Sequence, residues 1–238
     1  MTEDIIQTVR QILKESIDPK ALASSDRYFK PGEQAKVYGV RMFEVGKIAK
    51  EFYKEICGKS KAEIFALCEQ LWQSGYLEEA VVACECAFSL RKHYEPEDFD
   101  VFERWLMKYV DNWASCDTLC NHTIGSFVKQ YPQYVSRLKA WTKSDNRWVR
   151  RGAAVTLIIP ARKGLFFEDV LEIATAMLCD QDDMVRKGYG WMLKAASESH
   201  RDEVFDFVVR HKDAMPRTAL RYAIEKMPAD LRVVAMKK

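Results

Sequence analysis

Much that would settle a function class is missing from this sequence. Its 238 residues contain no apolar run approaching the roughly 18–20 residues a membrane span requires, so no transmembrane segment is expected. The first residues, Met1-Thr2-Glu3-Asp4, are acidic and lack the basic and apolar parts of a signal peptide. Secretion by that route is therefore not expected, and a cytoplasmic protein is. No Cys-x-x-Cys, Gly-x-Ser-x-Gly, phosphate-binding glycine loop or His-Glu-x-x-His motif occurs. The four histidines (His93, His122, His200, His211) are scattered without a recognisable local context, which leaves a Cys–His nucleophile pair open but unsupported. Net charge is nearly absent too, at +2 from 37 Lys and Arg against 35 Asp and Glu.

What is present argues for a folded chain. The sequence is 48% hydrophobic and 12% aromatic, enough to supply a core, which excludes disorder. The seven cysteines (Cys57, Cys68, Cys84, Cys86, Cys116, Cys120, Cys179) are an odd number and read as reduced thiols, not a disulfide framework. Small core residues are favoured over a zinc site, so neither metal nor cofactor is expected.

Helical periodicity dominates. Ile5, Ile6, Val9, Ile12 and Leu13 mark a first helix, stopped at Asp18-Pro19. Ser60-Lys61-Ala62-Glu63 has the spacing of a capping box ahead of Ile64, Leu67, Cys68 and Leu71. Most prolines fall at helix boundaries. Val155–Ile159 alone could be a strand, but its surroundings predict a helix ending near Pro160. About twelve or thirteen helices are expected, with one longer loop around Phe29-Lys30-Pro31-Gly32-Glu33. Without alternating strands, a sheet-based fold is disfavoured.

The helices repeat. Val149-Arg150-Arg151-Gly152-Ala153 is echoed 36 residues on by Val185-Arg186-Lys187-Gly188-Tyr189, and again after 35 by Leu220-Arg221-Tyr222-Ala223-Ile224. Asn146 and Asp182 precede the first two valines by three residues, in the turn. A second amphipathic helix lies upstream in each unit: Tyr134–Lys143, Phe167–Leu178 and Val204–Lys212. This period predicts an all-α, HEAT-like helical-repeat solenoid, one continuous domain over 1–238, with repeats clearest in 132–228.

Charge is unevenly placed along that chain. Residues 118–167 hold nine Lys and Arg and one acid, Asp145, a net +8 set against −6 elsewhere. On a solenoid such charges could line a concave basic face suited to a nucleic-acid backbone, or to an acidic protein partner. A solvated basic surface is the plainer alternative. Tryptophans 105, 113, 141, 148 and 191 surround the segment, and core packing accounts for most of them. Trp113 and Trp191 differ. The first follows Asn112 at a helix start; the second follows Gly188-Tyr189-Gly190, where two glycines permit close approach of another body. Asp117 lies four residues after Trp113, on the same helix face. It is either an ordinary surface carboxylate or one held between cationic groups and aromatic faces.

The latter arrangement would suit hydrolysis of the N-glycosidic bond of a purine alkylated at N3 or N7. Such a base is already cationic and needs no general acid to leave. One carboxylate can stabilise the oxocarbenium ion and position water.

Three strings, Asp111-Asn112-Trp113-Ala114-Ser115-Cys116-Asp117, Lys143-Ser144-Asp145-Asn146-Arg147-Trp148-Val149-Arg150-Arg151 and Gly188-Tyr189-Gly190-Trp191-Met192-Leu193-Lys194, resemble those of AlkD-type DNA alkylation-repair glycosylases. Tyr28-Phe29-Lys30 and Tyr38-Gly39-Val40-Arg41 are similar to that family's N-terminal signature, so the likeness spans essentially the whole chain. The resemblance implies an all-helical HEAT-like protein that excises 3-methyladenine and 7-methylguanine from double-stranded DNA, as a monomer without a metal. It implies Asp117 as the catalytic carboxylate, Trp113 and Trp191 against the lesion nucleotide's sugar and backbone, and Arg151 at the phosphates. Lys194 would be a further DNA contact, with Arg147 and Arg150 beside it and Tyr28 and Arg41 on the N-terminal side. Arg41 departs from the uncharged polar residue expected there. The resemblance also implies a damaged nucleotide that stays exposed at the protein surface. Two alternatives stand beside the enzyme: a non-catalytic solenoid binding duplex or branched DNA, and a protein-interaction scaffold.

Overall fold

The computed structural model describes residues 2–29 and 35–237, so residues 30–34 of the anticipated long loop lie outside the described part. The chain divides into two compact units, up to Leu119 and from Cys120 onward.

Unit 1 contains α1 (Thr2–Glu15), α2 (Pro19–Ser24), α3 (Met42–Ile56), α4 (Lys61–Trp72), α5 (Leu77–Ser89), α6 (Asp98–Tyr109) and α7 (Trp113–Thr118). Local chemistry sets their ends. Asp18 caps α2 by accepting from Lys20 N at 2.8 Å and Ala21 N at 3.1 Å, and Pro19 takes the first helical position, where its missing N–H costs nothing. The capping box forms: Ser60 Oγ accepts from Glu63 N, and the Glu63 carboxylate accepts from Ser60 N at 2.9 Å. The core is aromatic, with Phe99, Phe102 and Trp105 fully buried and Phe65 edge-on to Phe102 at 5.6 Å.

Two adjacent buried carboxylates on α5 were not singled out by the sequence. Glu78 accepts from the backbone N–H groups of Tyr38, Gly39 and Val40 at 3.0, 2.8 and 3.1 Å. Glu79 accepts from the Tyr38 hydroxyl at 2.7 Å and pairs with Arg10 at 3.1 Å. Together they fasten the extended segment before α3 onto α5, satisfying donors that burial would otherwise orphan.

A short π-helical stretch, Leu119–Ile124, follows α7. Unit 2 then runs through α8 (Gly125–Gln130), α9 (Val135–Trp141), α10 (Arg147–Val155), α11 (Ile158–Arg162), α12 (Phe167–Ala176), α13 (Asp183–Ala196), α14 (Arg201–His211), α15 (Arg217–Ala223) and α16 (Ala229–Met236). Asn146 and Asp182, the matched turn residues, cap α10 and α13 by accepting from Trp148 N at 2.9 Å and Met184 N at 2.8 Å. Helix α13 packs against both α10 and α15, so the echoed helices are neighbours, each preceded by its partner α9, α12 or α14. The fold is an all-α helical repeat, with no strand among the described residues.

Pro160 corrects one expectation. It does not end a helix; it lies in the first turn of α11, where no backbone donor is needed. The break comes earlier, after Val155, and divides the anticipated helix in two. No helix among the described residues is long and apolar enough to cross a membrane.

Candidate functional site

In unit 1, three sequence-selected residues meet around one cavity of about 380 Å³: Tyr28, Arg41 and Trp113. They come from a 3₁₀ turn after α2, the residue before α3 and the first residue of α7. Asn112 fixes the start of α7 by accepting from Ser115 N at 2.9 Å. From that fixed start, the Trp113 indole donates through Nε1 to the Tyr28 carbonyl at 3.0 Å. The Phe29 ring lies 6.0 Å from the indole, tilted by 34°. Tyr28 presents its side chain to solvent at 65% exposure. The exposed Arg41 guanidinium pairs with Asp18 at 2.6 Å. A backbone hydrogen bond from Ala21, reinforced by the Arg41 charge, holds the Asp18 carboxyl below its usual range. Asp117 stands one turn beyond Trp113 on α7 and is half-buried. The shared helix face expected from the spacing is therefore available within a single short helix.

In unit 2, the other selected residues gather on α10 and α13. Arg151 is only 5% exposed, and its guanidinium donates to the Met184 carbonyl at 2.5 Å. Trp191 is half-buried one turn before Lys194 turns toward Glu225. The two glycines beside Trp191 do permit close approach, but the approaching bodies belong to unit 2 itself. A Cβ on Gly188 would stand 3.3 Å from Arg151 Cγ, and one on Gly190 would stand 2.8 Å from both the Ala219 carbonyl oxygen and Tyr222 Cβ. The glycines bring α13 against α10 and α15.

The basic segment is also less bare than its net +8 suggests. Arg150 donates to Asp180 at 2.7 Å and to the carbonyls of Ser144 and Asp145 at 2.8 and 3.1 Å. Arg147 lies 3.1 Å from Asp182 and sits over the Trp148 ring. Lys139 pairs with Asp169 and Glu172 and Arg162 with Glu198, and beyond the segment Lys194 pairs with Glu225 at 3.0 Å. Each acid belongs to the following part of the repeat, beyond residue 167. Charges separated along the sequence are thus recombined between successive helix pairs. Arg150, selected for phosphates, is occupied inside the unit, whereas Lys129, Lys143 and Lys163 are exposed.

All seven cysteines are free thiols, with Cys57 and Cys179 exposed and the other five buried. Among the described residues, no group of three or more His, Cys, Asp or Glu is placed to hold a metal ion. Sequence reasoning passed over Glu78, which lines the unit 1 cavity. Its signal, two adjacent acids at the start of a largely apolar helix, is shared with countless helix N-termini.

The family model described as "DNA alkylation repair enzyme" matches residues 9–227. Among solved structures, a predicted DNA alkylation repair enzyme from Enterococcus faecalis is similar with a TM-score of 0.77 and 17% identity. That similarity covers 90% of this chain and 98% of the other. No curated protein matches the chain.

Proposed function

The chain belongs to the DNA alkylation repair enzyme family, and from that membership we propose that it is a metal-free DNA glycosylase. It removes purines alkylated at N3 or N7 from double-stranded DNA and works as a monomer. The observation that carries the reading is the meeting of Tyr28, Arg41 and Trp113 at one cavity, with Asp117 one turn beyond Trp113 on α7. Two aromatic side chains suit a cationic base or its sugar, a cation suits the neighbouring phosphate, and a half-buried carboxylate suits the charge that develops between them.

The chemistry asks little of the protein. The bond from C1′ to the alkylated base breaks with its electron pair moving to the base nitrogen, which cancels the positive charge of the alkylpurine. The sugar becomes an oxocarbenium ion, stabilised by the Asp117 carboxylate. A water held by that carboxylate adds its oxygen to C1′ and gives its proton to Asp117. A neutral base and an abasic sugar result. In unit 1, Trp113 supplies an aromatic face to the sugar of the lesion nucleotide; in unit 2, Trp191 supplies one to the DNA backbone. Arg151 acts as a buried positive charge that draws in the phosphates, with Arg147 and Lys194 nearer the surface of unit 2.

Release of 7-methylguanine from methylated duplex DNA tests this function. Wild type releases the base, and Asp117→Asn slows release by about 10²–10³-fold, the usual loss when a charge-stabilising group is removed. No release by wild type overturns the glycosylase. Equal release by both proteins removes Asp117 from the mechanism.

A further inference from the structure

Purines alkylated at N3 or N7 carry a positive charge, so a fixed cation beside the lesion repels the base that this reaction must hold. Arg41 is such a cation, and it stands where the sequence resemblance leads to an uncharged polar residue. Of the residues lining the unit 1 cavity with Trp113, Arg41 and Glu78 carry a formal charge. The guanidinium has a counterion, and the fold puts it there.

Asp18 divides its carboxylate between two tasks. Oδ1 caps α2 by accepting from the N–H groups of Lys20 and Ala21, and Oδ2 takes the Arg41 guanidinium at 2.6 Å. The backbone arranges this meeting. Asp18 N donates to the Gly39 carbonyl at 3.0 Å. Gly39, at φ +89°, lets α2 come so near that a Cβ there would stand 2.5 Å from Leu22 Cβ. From the other side, buried Glu78 holds the N–H groups of Tyr38, Gly39 and Val40. Arg41 thus follows a segment anchored on both sides and falls beside Asp18. Its side chain is 66% exposed and that of Asp18 is 24% exposed, and a pair so open to water adds little to stability. Its effect is on charge. A guanidinium has five N–H donors, so Arg41 keeps donors for a phosphate while its net charge is cancelled at short range.

We propose, resting on the glycosylase reading, that Asp18 is a specificity-determining residue: it makes Arg41 act as an uncharged hydrogen-bond donor, so that the site holds a phosphate without repelling a cationic alkylpurine. Asp18 is a positioning residue and touches no DNA itself. With Arg41 answered by Asp18, the charge left on the cavity wall is that of Glu78, whose N–H partners bring no countercharge. A lesion nucleotide exposed at the surface beside Trp113 then meets a weakly negative neighbourhood, and damaged DNA is favoured over undamaged DNA by charge alone.

The test is a charge cycle of wild type, Asp18→Asn, Arg41→Gln and the double variant. Asn keeps the α2 cap, Asp18→Ser repeats that arm with a second capping residue, and thermal melting checks that each variant folds. Each protein binds two duplexes by fluorescence anisotropy at about 50 mM salt, where screening is weak. One duplex carries 2′-fluoro-7-methylguanine, whose glycosidic bond resists cleavage, and the other carries 2′-fluoroguanine in its place. The ratio of the two affinities reports preference for the cationic base. Asp18→Asn binds the guanine duplex more tightly than wild type does, yet its ratio falls about threefold. Arg41→Gln raises the ratio by a similar factor, and the double variant returns it to the wild-type value. Excision of 7-methylguanine in the presence of excess unmodified duplex follows the same order. Simple damage to α2 would neither tighten DNA binding nor be reversed by Arg41→Gln. An unchanged ratio in either single variant, or a fall in Asp18→Asn that the double variant does not reverse, overturns the role of Asp18 and leaves the glycosylase intact. The expected ratios in a protein that excises nothing support the role of Asp18 and overturn the glycosylase.

Discussion

The indole of Trp113 donates to the backbone carbonyl of Tyr28 at 3.0 Å, joining residues 85 positions apart. This bond sets the angle at which the ring faces the cavity, since a tryptophan at a helix start otherwise turns freely about two torsions. Trp113→Phe keeps an aromatic face but loses the donor. One hydrogen bond contributes about 1 kcal/mol, so excision falls roughly fivefold with duplex affinity unchanged. Trp113→Ala loses the face as well and falls much further. Equal activities of the two variants in single-turnover assays would show that orientation, not surface, is what the residue supplies.

Gly188 and Gly190 separate packing from function. At Gly190 an added Cβ meets the backbone of α15 at 2.8 Å, which cannot yield without moving the helix. Gly190→Ala therefore lowers stability by about 1–3 kcal/mol in urea denaturation. At Gly188 the obstacle is the Arg151 side chain at 3.3 Å. The helix gains propensity of about 1 kcal/mol from alanine, which offsets the crowding. Gly188→Ala thus stays within about 1 kcal/mol of wild type but shifts Arg151 and slows excision. A large loss of stability in this variant would show that Arg151 is too tightly held to give way.

Glu69 makes unit 1 acid-sensitive. Partial burial raises its pKa, but donors from Arg104 at 2.7 Å, Tyr109 at 2.8 Å and Trp105 at 3.2 Å outweigh that effect and bring it down from 4.5 to about 2. The folded state thus binds this proton less readily than the unfolded state. Its contribution is complete above about pH 4.5 and is lost as pH falls toward 2. Because Arg104 is half-exposed, screening limits the effect to about 2 kcal/mol. Glu69→Gln is less stable than wild type by that amount at pH 7, and the gap narrows between pH 4.5 and 2. A gap independent of pH would assign the difference to packing.

Features set by near neighbours along the chain are legible in the sequence alone. Asn146 and Asp182 stand in matching turns because an N-cap needs only the next two or three residues. The Trp113–Asp117 spacing follows from one helix turn. Pro160 misleads because the same run, Val155–Ile159, allows a break on either side, and tertiary packing selects the earlier one. The Trp113–Tyr28 bond and the Glu78 cradle depend on chain segments brought together by folding, which no local pattern records. Charge misleads for a related reason: counting along the chain reports where basic residues are coded, not which acids the next helix pair sets beside them.

Arg150 and Lys143 make that last difference measurable. Both are basic, both lie near the turn between α9 and α10, and either would serve a phosphate. Arg150, however, is bound to Asp180 and to two carbonyls of its own turn, with 19% of its side chain exposed and 10% of that of Asp180. Removing it leaves a largely buried carboxylate without its cation, at a cost of about 2–4 kcal/mol. Lys143 is exposed, and its truncation changes stability by no more than about 0.5 kcal/mol. Their effects on DNA run the other way. A residue that displaces a counterion from a phosphate lowers the slope of log affinity against log salt by about one when removed. Lys143→Ala shows that reduction and Arg150→Ala does not, measured by fluorescence anisotropy on a duplex between about 50 and 200 mM salt. A reduced slope for Arg150→Ala would mean that DNA draws this guanidinium away from Asp180. A flat dependence in wild type would defeat a phosphate-tracking surface altogether, and with it DNA as the partner of this chain.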